Sequence, residues 1–358
     1  MSGGGGDFVV VGGGIAGLMT ALEILRRGHS ATVADAGYPP ASAAGAGILS
    51  ALPPWRCAPP VAALISENNK RIGALVHEIE TSAGADSDCE WRRPGMLALA
   101  DSPPSPAPAG STITPVRWLA PLLAAERAYG IWMPEVGQVR AAKLAAHLRR
   151  MLQKTGARFA HGKARLEYSQ NKITAARMQN GDKLAADHYI ICAGARGGEV
   201  CPPPSPPVAP VRGQLLLYRT PKPLMCIVFS CAEELYLSPR GDEMILAGAS
   251  FEDAGFDDRP AAAVQRELHR KAAALFPPLR EAQTLDSWSG LRPCLPDAMP
   301  CIGAHPRYEN LYLNVGHGRY GVATAHAAAR HLLKIMRAPE TENPFAFREW
   351  DADASGEC

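Results

Sequence analysis

A short apolar strand that runs directly into a glycine-rich turn and a helix places the strongest constraint on how this chain can fold. Residues 8–11 are a continuous aromatic and β-branched run, which is typical of strands that a parallel sheet buries on both faces. Residues 12–17 follow with the pattern G-x-G-x-x-G. A helix is predicted from Leu18, with leucines along one face and Gly28 as its end. This order predicts the first half of a βαβ unit.

The spacing of the glycines is typical of a dinucleotide phosphate site. Gly12 allows a tight turn, Gly14 leaves the backbone bare, and Gly17 lets the helix pack closely on the strand, so that a pyrophosphate would lie at the helix N-terminus. A second predicted strand over residues 31–35 ends at Asp35, where the carboxylate would bind a ribose hydroxyl. The alternative is a purely structural glycine turn. The contacts predicted here are Gly12, Gly14, Ile15, Ala16, Gly17, Asp35 and Ala36.

Composition narrows the possible partners. The 358 residues leave room for two domains and a large core. A formal net charge of +2 favours neither nucleic acid nor an anionic membrane surface. The apolar stretches are shorter than the roughly 18 residues of a membrane span. Residues 1–6 lack the basic and apolar regions of a secretory signal. A cytoplasmic location is therefore expected. Nine cysteines without a C-x-x-C pair indicate neither a disulfide framework nor a metal site.

The number of G-x-G-x-x-G fingerprints in the sequence indicates which dinucleotide is bound. Flavoproteins that reduce their flavin with NAD(P)H commonly carry a second glycine fingerprint, and disulfide reductases add a redox-active cysteine pair. This sequence contains neither. A single bound dinucleotide is therefore expected, and a tightly held FAD fits better than an exchanging NAD.

Proline-rich stretches indicate how the chain divides. Residues 102–110 and 201–210 are polyproline-like and are typical of crossings between domains. A helix is predicted over 140–152 and a buried strand over 189–192, whereas the pattern after Pro210 is rich in strands. The predicted fold class is α/β, α+β overall, with a discontinuous Rossmann-like FAD-binding domain and an antiparallel-sheet substrate domain. The predicted FAD-binding segments are 1–82, 138–206 and 284–358, and the predicted substrate segments are 83–137 and 207–283.

Several segments in this order resemble one family. The chain is similar to the D-amino-acid oxidase family of FAD enzymes, in particular to its glycine oxidase branch, over nearly its whole length. The resemblance implies a non-covalent FAD, since relatives that attach FAD through cysteine carry that cysteine in a different motif. The segments that carry it, besides the N-terminal fingerprint, are 41–49, 137–139, 186–195, 248–257, 288–293, 296–297 and 316–321.

The resemblance also implies roles for four side chains. Arg292, in G-L-R-P, would hold the substrate carboxylate, because a planar guanidinium can form two parallel hydrogen bonds with it. Tyr236 would bind the same carboxylate, and Arg319 would lie near the flavin and the substrate. Each role has a structural alternative. Arg292 could instead brace its loop, Tyr236 could simply pack in a strand, and Arg319 could be a charge on a surface loop. His317 is the tempting base, but a glycine-rich loop favours a position away from the chemistry.

The flavin itself would lie against two glycine- and alanine-rich segments. The helix predicted from Val322 would point its N-terminus at the flavin pyrimidine ring, where negative charge accumulates on reduction. Gly318 stands where relatives often have a bulkier aromatic residue, which would enlarge the pocket. The flavin contacts that the resemblance implies are Ala43, Ala44, Gly45, Gly47, Ile48, Ala193, Gly194, Arg292, Gly316, His317, Gly318, Arg319, Tyr320, Gly321 and Val322.

The implied reaction is oxidation of an amine next to a carboxylate. The expected substrate is glycine, sarcosine or a D-amino acid, and the expected acceptor is oxygen, which yields hydrogen peroxide. The alternatives are a dehydrogenase that passes electrons to a quinone or a partner protein, and a non-catalytic flavoprotein subunit. Trp55 and Arg56 would form either the substrate entrance or a packing loop at its rim. A homo-oligomer is compatible with the sequence.

Overall fold

A computed structural model describes residues 7–84, 88–124, 129–241 and 243–350. Within these ranges the chain forms three β-sheets, α-helices and four short 3-10 helices. The strands are β1 (Asp7–Val11), β2 (Ser30–Asp35), β3 (Met96–Ala100), β4 (Thr112–Thr114), β5 (Tyr129–Met133), β6 (Arg158–His161), β7 (Ala164–Ser169), β8 (Lys172–Met178), β9 (Lys183–Leu184), β10 (His188–Ile191), β11 (Ala209–Arg219), β12 (Ile227–Ser230), β13 (Leu235–Arg240), β14 (Met244–Gly248), β15 (Gln283–Cys294), β16 (Cys301–Ala304) and β17 (Leu311–Val315). The α-helices are α1 (Ile15–Arg26), α2 (Ala41–Ala44), α3 (Pro59–Ala83), α4 (Val116–Leu119), α5 (Ala141–Lys154), α6 (Gly197–Val200), α7 (Ala262–Leu275) and α8 (Gly321–Arg337).

The first sheet is the Rossmann-like layer that the sequence predicts. Its strand order is β16-β17-β10-β1-β2-β6, and every neighbouring pair is parallel except β16 and β17. The predicted buried run at 8–11 is β1, which lies between β10 and β2. Helix α1 begins at Ile15, earlier than the predicted Leu18, because the helix starts as soon as the glycine turn ends. It is followed by Gly28, whose φ of 80° is accessible to glycine at little cost.

The second sheet is antiparallel apart from one pair. Its eight strands lie in the order β15-β11-β14-β13-β12-β3-β5-β4, and only β12 and β3 run parallel. A third sheet, β7-β8-β9, includes a hairpin whose turn between β8 and β9 contains Asn180 and Gly181. The predicted fold class is therefore confirmed.

The strands follow the predicted division of the chain, with one exception. All strands of the first sheet fall within the predicted FAD-binding segments, and most of the second sheet falls within the predicted substrate segments. Strand β15 crosses the predicted boundary at residue 284. It pairs with β11 from Gln283 opposite Arg219 to Cys294 opposite Ala209, and so belongs to the second sheet. The domain boundaries themselves stay a prediction.

Helices α1, α3, α5 and α8 cover one face of the first sheet and enclose the largest apolar core. Val10 of the sheet, Leu18 of α1, Ile72 of α3 and Leu332 of α8 are almost completely buried there. Burying each such side chain stabilises the fold by about 1.5–3 kcal/mol. In the part of the chain that the structure describes, no helix combines the length and the apolar character needed to cross a membrane.

A buried carboxylate joins α1 to α8 inside this core. Glu23 is 2% exposed, and its carboxylate accepts hydrogen bonds from His326 Nε2 at 2.9 Å, Arg27 Nη1 at 2.6 Å and Arg26 Nη1 at 3.0 Å. Burial by itself would raise the pKa of Glu23, but these donors outweigh it and lower the pKa to about 2. Of these donors His326 belongs to α8, as does Arg330, whose Nη1 lies 3.9 Å from Glu23 Oε2. The α1–α8 contact is therefore held by polar contacts to a carboxylate as well as by apolar packing.

Candidate active site

One long cavity of about 1080 Å³ lies between the two large sheets. It begins at the C-terminal end of β2, passes the glycine turn before α1 and ends against the second sheet beside Arg292 and Tyr236. Ligands of open α/β sheets bind at this edge, outside the carboxyl ends of the parallel strands. The cavity is slightly larger than the roughly 300–1,000 Å³ of ordinary small-molecule sites, which suits an extended ligand together with a second small molecule.

Most of the side chains predicted for the site are brought together in the lining of this cavity. Gly17 and Tyr320 are not among them: Gly17 lies behind the turn against Gly12, and Tyr320 packs against the apolar core. The predicted residues that do line the cavity are Gly12, Gly14, Ile15, Ala16, Asp35, Ala36, Ala43, Ala44, Gly45, Gly47, Ile48, Ala193, Gly194, Tyr236, Arg292, Gly316, His317, Gly318, Arg319, Gly321 and Val322.

The three glycines of the fingerprint differ in what requires them. Gly12 has a φ of 122°, and a Cβ there would stand 2.2 Å from the carbonyl oxygen of Cys192. A Cβ on Gly17 would stand 1.9 Å from the carbonyl oxygen of Gly12, so only glycine lets α1 approach β1 this closely. A Cβ on Gly14 would meet only Pro40, at 3.6 Å. Gly12 and Gly17 thus serve the backbone, whereas Gly14 keeps the cavity wall bare.

The first turn of α1 presents backbone N–H groups to the cavity. Gly14 is the N-cap residue and supplies no capping side chain, and the first turn of the helix contains no acidic residue. Since the first N–H groups of a helix lack intrahelical partners and carry partial positive charge, this end of the cavity fits a phosphate group. The residues present therefore fit the pyrophosphate of a dinucleotide.

Asp35 lies beside that turn and is itself held in place. Its Oδ1 accepts the backbone N–H of Gly37 at 3.1 Å, and its Oδ2 contacts Arg149 of α5. The Arg149 guanidinium also lies 4.7 Å from the ring centroid of Phe159. Asp35 therefore reaches the cavity already paired with a cation. Arg149 could not be predicted for the site from the sequence, because nothing in an amphipathic helix singles out one arginine.

The loop from Ala43 to Ile48 forms the middle of the cavity and is fixed from behind. Trp288 Nε1 donates to the Ala44 carbonyl at 3.3 Å, and the buried guanidinium of Arg240 contacts the Ala46 carbonyl. Burial lowers the pKa of Arg240 to about 10, so this arginine stays charged at neutral pH. Both anchors belong to the second sheet, which therefore positions a loop of the dinucleotide-binding half.

Arg292 and Tyr236 both line the end of the cavity that borders the second sheet. Arg292 Nη1 donates to the Ser250 carbonyl at 3.0 Å, and burial lowers the pKa of Arg292 to about 10, so it is a cation at neutral pH. Tyr236 is 9% exposed, and burial raises its pKa to about 12, so its hydroxyl keeps its proton. A guanidinium and a phenol donor in the lining of one cavity are suited to a carboxylate.

Arg319 approaches the same place from the first sheet. Its Nη1 donates to the Leu52 carbonyl at 3.0 Å. The ring of Phe251 brings the two arginines into one group: its centroid is 4.4 Å from Arg292 Cζ and 4.5 Å from Arg319 Cζ. Phe251 lies in the 248–257 segment that carries the resemblance, but no pattern in the sequence selects its ring.

His317 is part of the wall rather than a free base. It is buried, its Nε2 lies 2.8 Å from Asn314 Oδ1, and its Nδ1 lies 3.1 Å from Thr324 Oγ1. Burial lowers the pKa of His317 to about 4, so the ring is neutral at physiological pH. Because an amide oxygen can only accept, the Nε2 position carries the proton. Both ring nitrogens are therefore engaged in fixing the loop before α8.

The N-terminus of α8 faces the cavity. Gly321 and Val322 line the cavity, and the helix has neither a capping side chain nor an acidic residue in its first turn. Such an end stabilises nearby negative charge by about 0.3–1 kcal/mol, and by more when it is partly buried. Gly318, just before it, has a φ of 51° and also lines the cavity.

Trp55 and Arg56 are placed away from the cavity lining. They lie in a short 3-10 helix, Pro54–Arg56, and Trp55 packs against an apolar cluster of the second sheet. This arrangement favours the packing-loop interpretation over a substrate entrance. The described residues contain no group of three or more histidine, cysteine, aspartate or glutamate side chains that could hold a metal ion.

Fold and site together define a dinucleotide-dependent oxidoreductase. The chain belongs to the DAO family of FAD-dependent oxidoreductases, which it matches over residues 7–335. It is 32% identical to a glycine oxidase of Pseudomonas aeruginosa over 366 residues, covering 93% of this chain and 95% of that protein. A glycine oxidase of Geobacillus kaustophilus is 27% identical to this chain, and the alignment covers 94% of each of the two proteins.

Solved structures agree with the sequence comparison. The structure of the Geobacillus kaustophilus glycine oxidase superposes with a TM-score of 0.86 at 25% identity, covering 97% of this chain and all of that one. An iminodiacetate oxidase of Chelativorans sp. BNC1 shares the fold, with a TM-score of 0.83 at 23% identity over 95% of this chain and 98% of that one. The predicted family, its FAD cofactor and a glycine oxidase-like enzyme are confirmed.

Proposed function

We propose that this enzyme oxidises a small amino acid, namely glycine, sarcosine or a D-amino acid, and reduces oxygen to hydrogen peroxide. The overall reaction converts the amino acid, oxygen and water into the 2-oxo acid, ammonia or an amine, and hydrogen peroxide. The observation that carries the proposal is the paired guanidinium of Arg292 and hydroxyl of Tyr236 at the end of a dinucleotide-sized cavity. The names of the relatives support the same chemistry.

Arg292 and Tyr236 would bind the substrate carboxylate and so fix which bond faces the cofactor. Bound FAD supplies the two-electron acceptor for the hydride that leaves the α-carbon. We call the side chains of Arg292 and Tyr236 the clamp. The clamp can be rigid, because Arg292 is braced by the Ser250 carbonyl and the Phe251 ring. Holding the reactants in one geometry removes much of the entropic barrier, so orientation is the main contribution of the protein.

The charges around the clamp would also prepare the substrate amine. Hydride transfer needs the neutral amine, and the positive charges of Arg292 and Arg319 disfavour a further cation beside them. The amine of the bound substrate is therefore expected to lose its proton more readily than in water. No dedicated base is needed, which agrees with the engagement of both nitrogens of His317.

FAD would be held without a covalent bond. Among the described residues that line the cavity, Cys192 and Cys201 are free thiols, and burial raises the pKa of each to about 12. Thiols this reluctant to ionise are poor nucleophiles. Acid precipitation of the protein is expected to leave the yellow colour in the supernatant. Colour in the pellet would contradict non-covalent binding.

The decisive experiment mixes the FAD-loaded enzyme with candidate substrates in the absence of oxygen. Glycine, sarcosine, D-alanine and D-proline are tested singly, and the flavin absorbance is followed. At least one of them is expected to bleach the flavin, and air is expected to restore the colour with formation of peroxide. If none of the four bleaches the flavin, the proposed substrate class is wrong. If bleaching occurs but a quinone restores the colour far faster than oxygen does, the protein is a dehydrogenase.

A further inference from the structure

The loop between β14 and α7, residues 249–261, carries groups that touch Arg292 directly. Ser250 offers its carbonyl oxygen to Arg292 Nη1 at 3.0 Å, and the Phe251 ring lies 4.4 Å from Arg292 Cζ. The position of the guanidinium therefore depends on the conformation of these two residues. The residue that follows them, Glu252, is absent from the described lining of the cavity.

Within this loop, Glu252 is the centre of a compact hydrogen-bonded cluster that joins the loop to β11. Its Oε2 accepts from Arg212 at 2.7 Å (Nη2) and 3.2 Å (Nε), and its Oε1 accepts from Gln214 Nε2 at 2.8 Å and from Ser250 Oγ at 2.6 Å. The backbones of Arg212 and Glu252 also exchange two hydrogen bonds, of 2.9 and 3.0 Å. The side chains of Glu252 and Arg212 are only 16% and 11% exposed.

The same cluster pins both ends of the loop to β11. The backbone N–H of Gln214 donates to Ser250 Oγ at 2.9 Å, at the start of the loop. The Gln214 side chain, which is fully buried, accepts the N–H of Ala261 at 2.9 Å, at the end of the loop. The carboxylate of Glu252 thus joins the strand and the loop, because it accepts from both Gln214 and Ser250.

We propose that Glu252 is a positioning residue, which through Ser250 and Phe251 holds the Arg292 guanidinium in the orientation that binds the substrate carboxylate. This inference rests on the proposed role of Arg292. A carboxylate is required because hydrogen bonds to a charged group are stronger than neutral ones. Without it, Arg212 would keep only the more distant carboxylate of Asp257, at 3.8 Å, as a counter-charge. The role concerns substrate binding and leaves the hydride-transfer step to other groups.

The test compares Glu252→Gln with the unaltered FAD-loaded enzyme. Glutamine has nearly the same shape but presents an uncharged amide to Arg212. The dissociation constant of acetate, read from the perturbation of the flavin absorbance, and the KM of the best substrate are expected to rise about tenfold, which corresponds to the loss of one good hydrogen bond. The limiting rate of anaerobic flavin reduction is expected to stay within about twofold, since a merely structural defect would not separate the two.

Two further variants keep the test decisive. Ser250→Ala removes the hydroxyl that donates to Glu252 and accepts the backbone N–H of Gln214. It leaves the charge of Glu252 in place and is expected to weaken acetate binding in the same direction, even if Glu252→Gln folds poorly. Glu267→Gln, which alters an exposed pair with Arg270 on α7, is the matched control and is expected to change nothing. Unchanged acetate binding in both cluster variants would overturn the inference, as would a loss of reduction rate that equals the loss of affinity. If Arg292→Ala itself leaves acetate binding unchanged, the proposed function fails instead.

Discussion

The guanidinium of Arg292 occupies the space that a side chain on Gly213 would need. A Cβ on Gly213 would stand 2.2 Å from Arg292 Nη2. Gly213 on β11 is paired with Gly290 on β15, and a Cβ on Gly290 would stand 2.4 Å from the Cβ of Ala44. Because neither of the two paired glycines carries a side chain, Arg292 and the segment that contains Ala44 can both lie close against the second sheet.

Gly213→Ala is expected to displace the clamp while leaving the fold intact. The atoms in the way are the end of a flexible side chain, which can move, whereas the backbone of β11 need not. Because misplacing a positioning group by about 1 Å can cost up to roughly 100-fold in catalysis, KM for the best substrate is expected to rise about 10- to 100-fold. Steady-state kinetics and thermal melting measure the two effects. Gly241→Ala, where a Cβ would meet open space, is the control.

Arg292→Ala is expected to abolish useful substrate binding and to retain FAD. Hydrogen bonds to a charged group contribute about 1.5–3 kcal/mol each, so losing the clamp should weaken acetate binding at least about 100-fold. Arg292→Lys is expected to recover little, since an ammonium cannot form the two parallel bonds of a guanidinium. The measurement is acetate titration followed by flavin absorbance. A variant that oxidises amino acids as well as the parent enzyme does would show that Arg292 is only a brace.

Glu23→Ala is expected to destabilise the fold far more than Glu78→Ala does, because Glu23 is buried and Glu78 is exposed. The change leaves His326, Arg26 and Arg27 without their buried carboxylate, and breaking such a buried arrangement typically costs about 3–5 kcal/mol. Urea unfolding measures the loss. The control is Glu78→Ala, which removes the other carboxylate that contacts Arg26 but at an exposed position, and it is expected to cost less than about 1 kcal/mol. Equal losses would show that the buried carboxylate of Glu23 adds no more to stability than the exposed carboxylate of Glu78 does.

His317 is expected to make the protein less stable in mild acid. Its pKa is lowered by folding to about 4 from an ordinary value near 6.5, so the unfolded chain binds the proton more readily. The contribution of His317 to stability is therefore complete above about pH 6.5 and is lost as the pH falls towards 4. Between pH 7 and pH 5, His317→Gln should lose about 2 kcal/mol less stability than the wild type.

The pH prediction is measured by urea unfolding at both pH values. His77→Gln, at an exposed position of α3, is the control and should follow the wild type. If His317→Gln loses as much stability between pH 7 and pH 5 as the wild type does, the ring is not held neutral by burial.

The parts of the fold that could be predicted are those whose signal is contiguous in the chain. The run from β1 through the glycine turn to α1 carries its own hydrophobic pattern and punctuation, and its outcome differs from expectation by only a few residues at the helix start. Strand β15 could not be assigned to the second sheet in this way. Its pairing with β11 is a long-range contact, and the stretch around Trp288 has no simple alternation that marks a strand.

The same difference between local and long-range signals applies to the residues of the candidate site. Arg292, Tyr236 and Arg319 could be proposed from short motifs, and they do line one cavity. Phe251 and Glu252 could not be selected, because their importance comes from neighbours on other strands that no local spacing reveals. The roles of all these side chains, the cytoplasmic location and a homo-oligomeric state stay predictions.

The order of strands in the first sheet has a consequence for how the enzyme matures in a cell. Strand β1 lies between β2 and β10, and β10 in turn pairs with β17, which ends only at Val315. A nascent chain leaving the ribosome therefore exposes its glycine turn long before the strands that complete the cavity wall have been translated. FAD can find its site only after synthesis is nearly finished. Strand β10 is made earlier, about midway through synthesis, and until then the edge of β1 that will pair with it stays open.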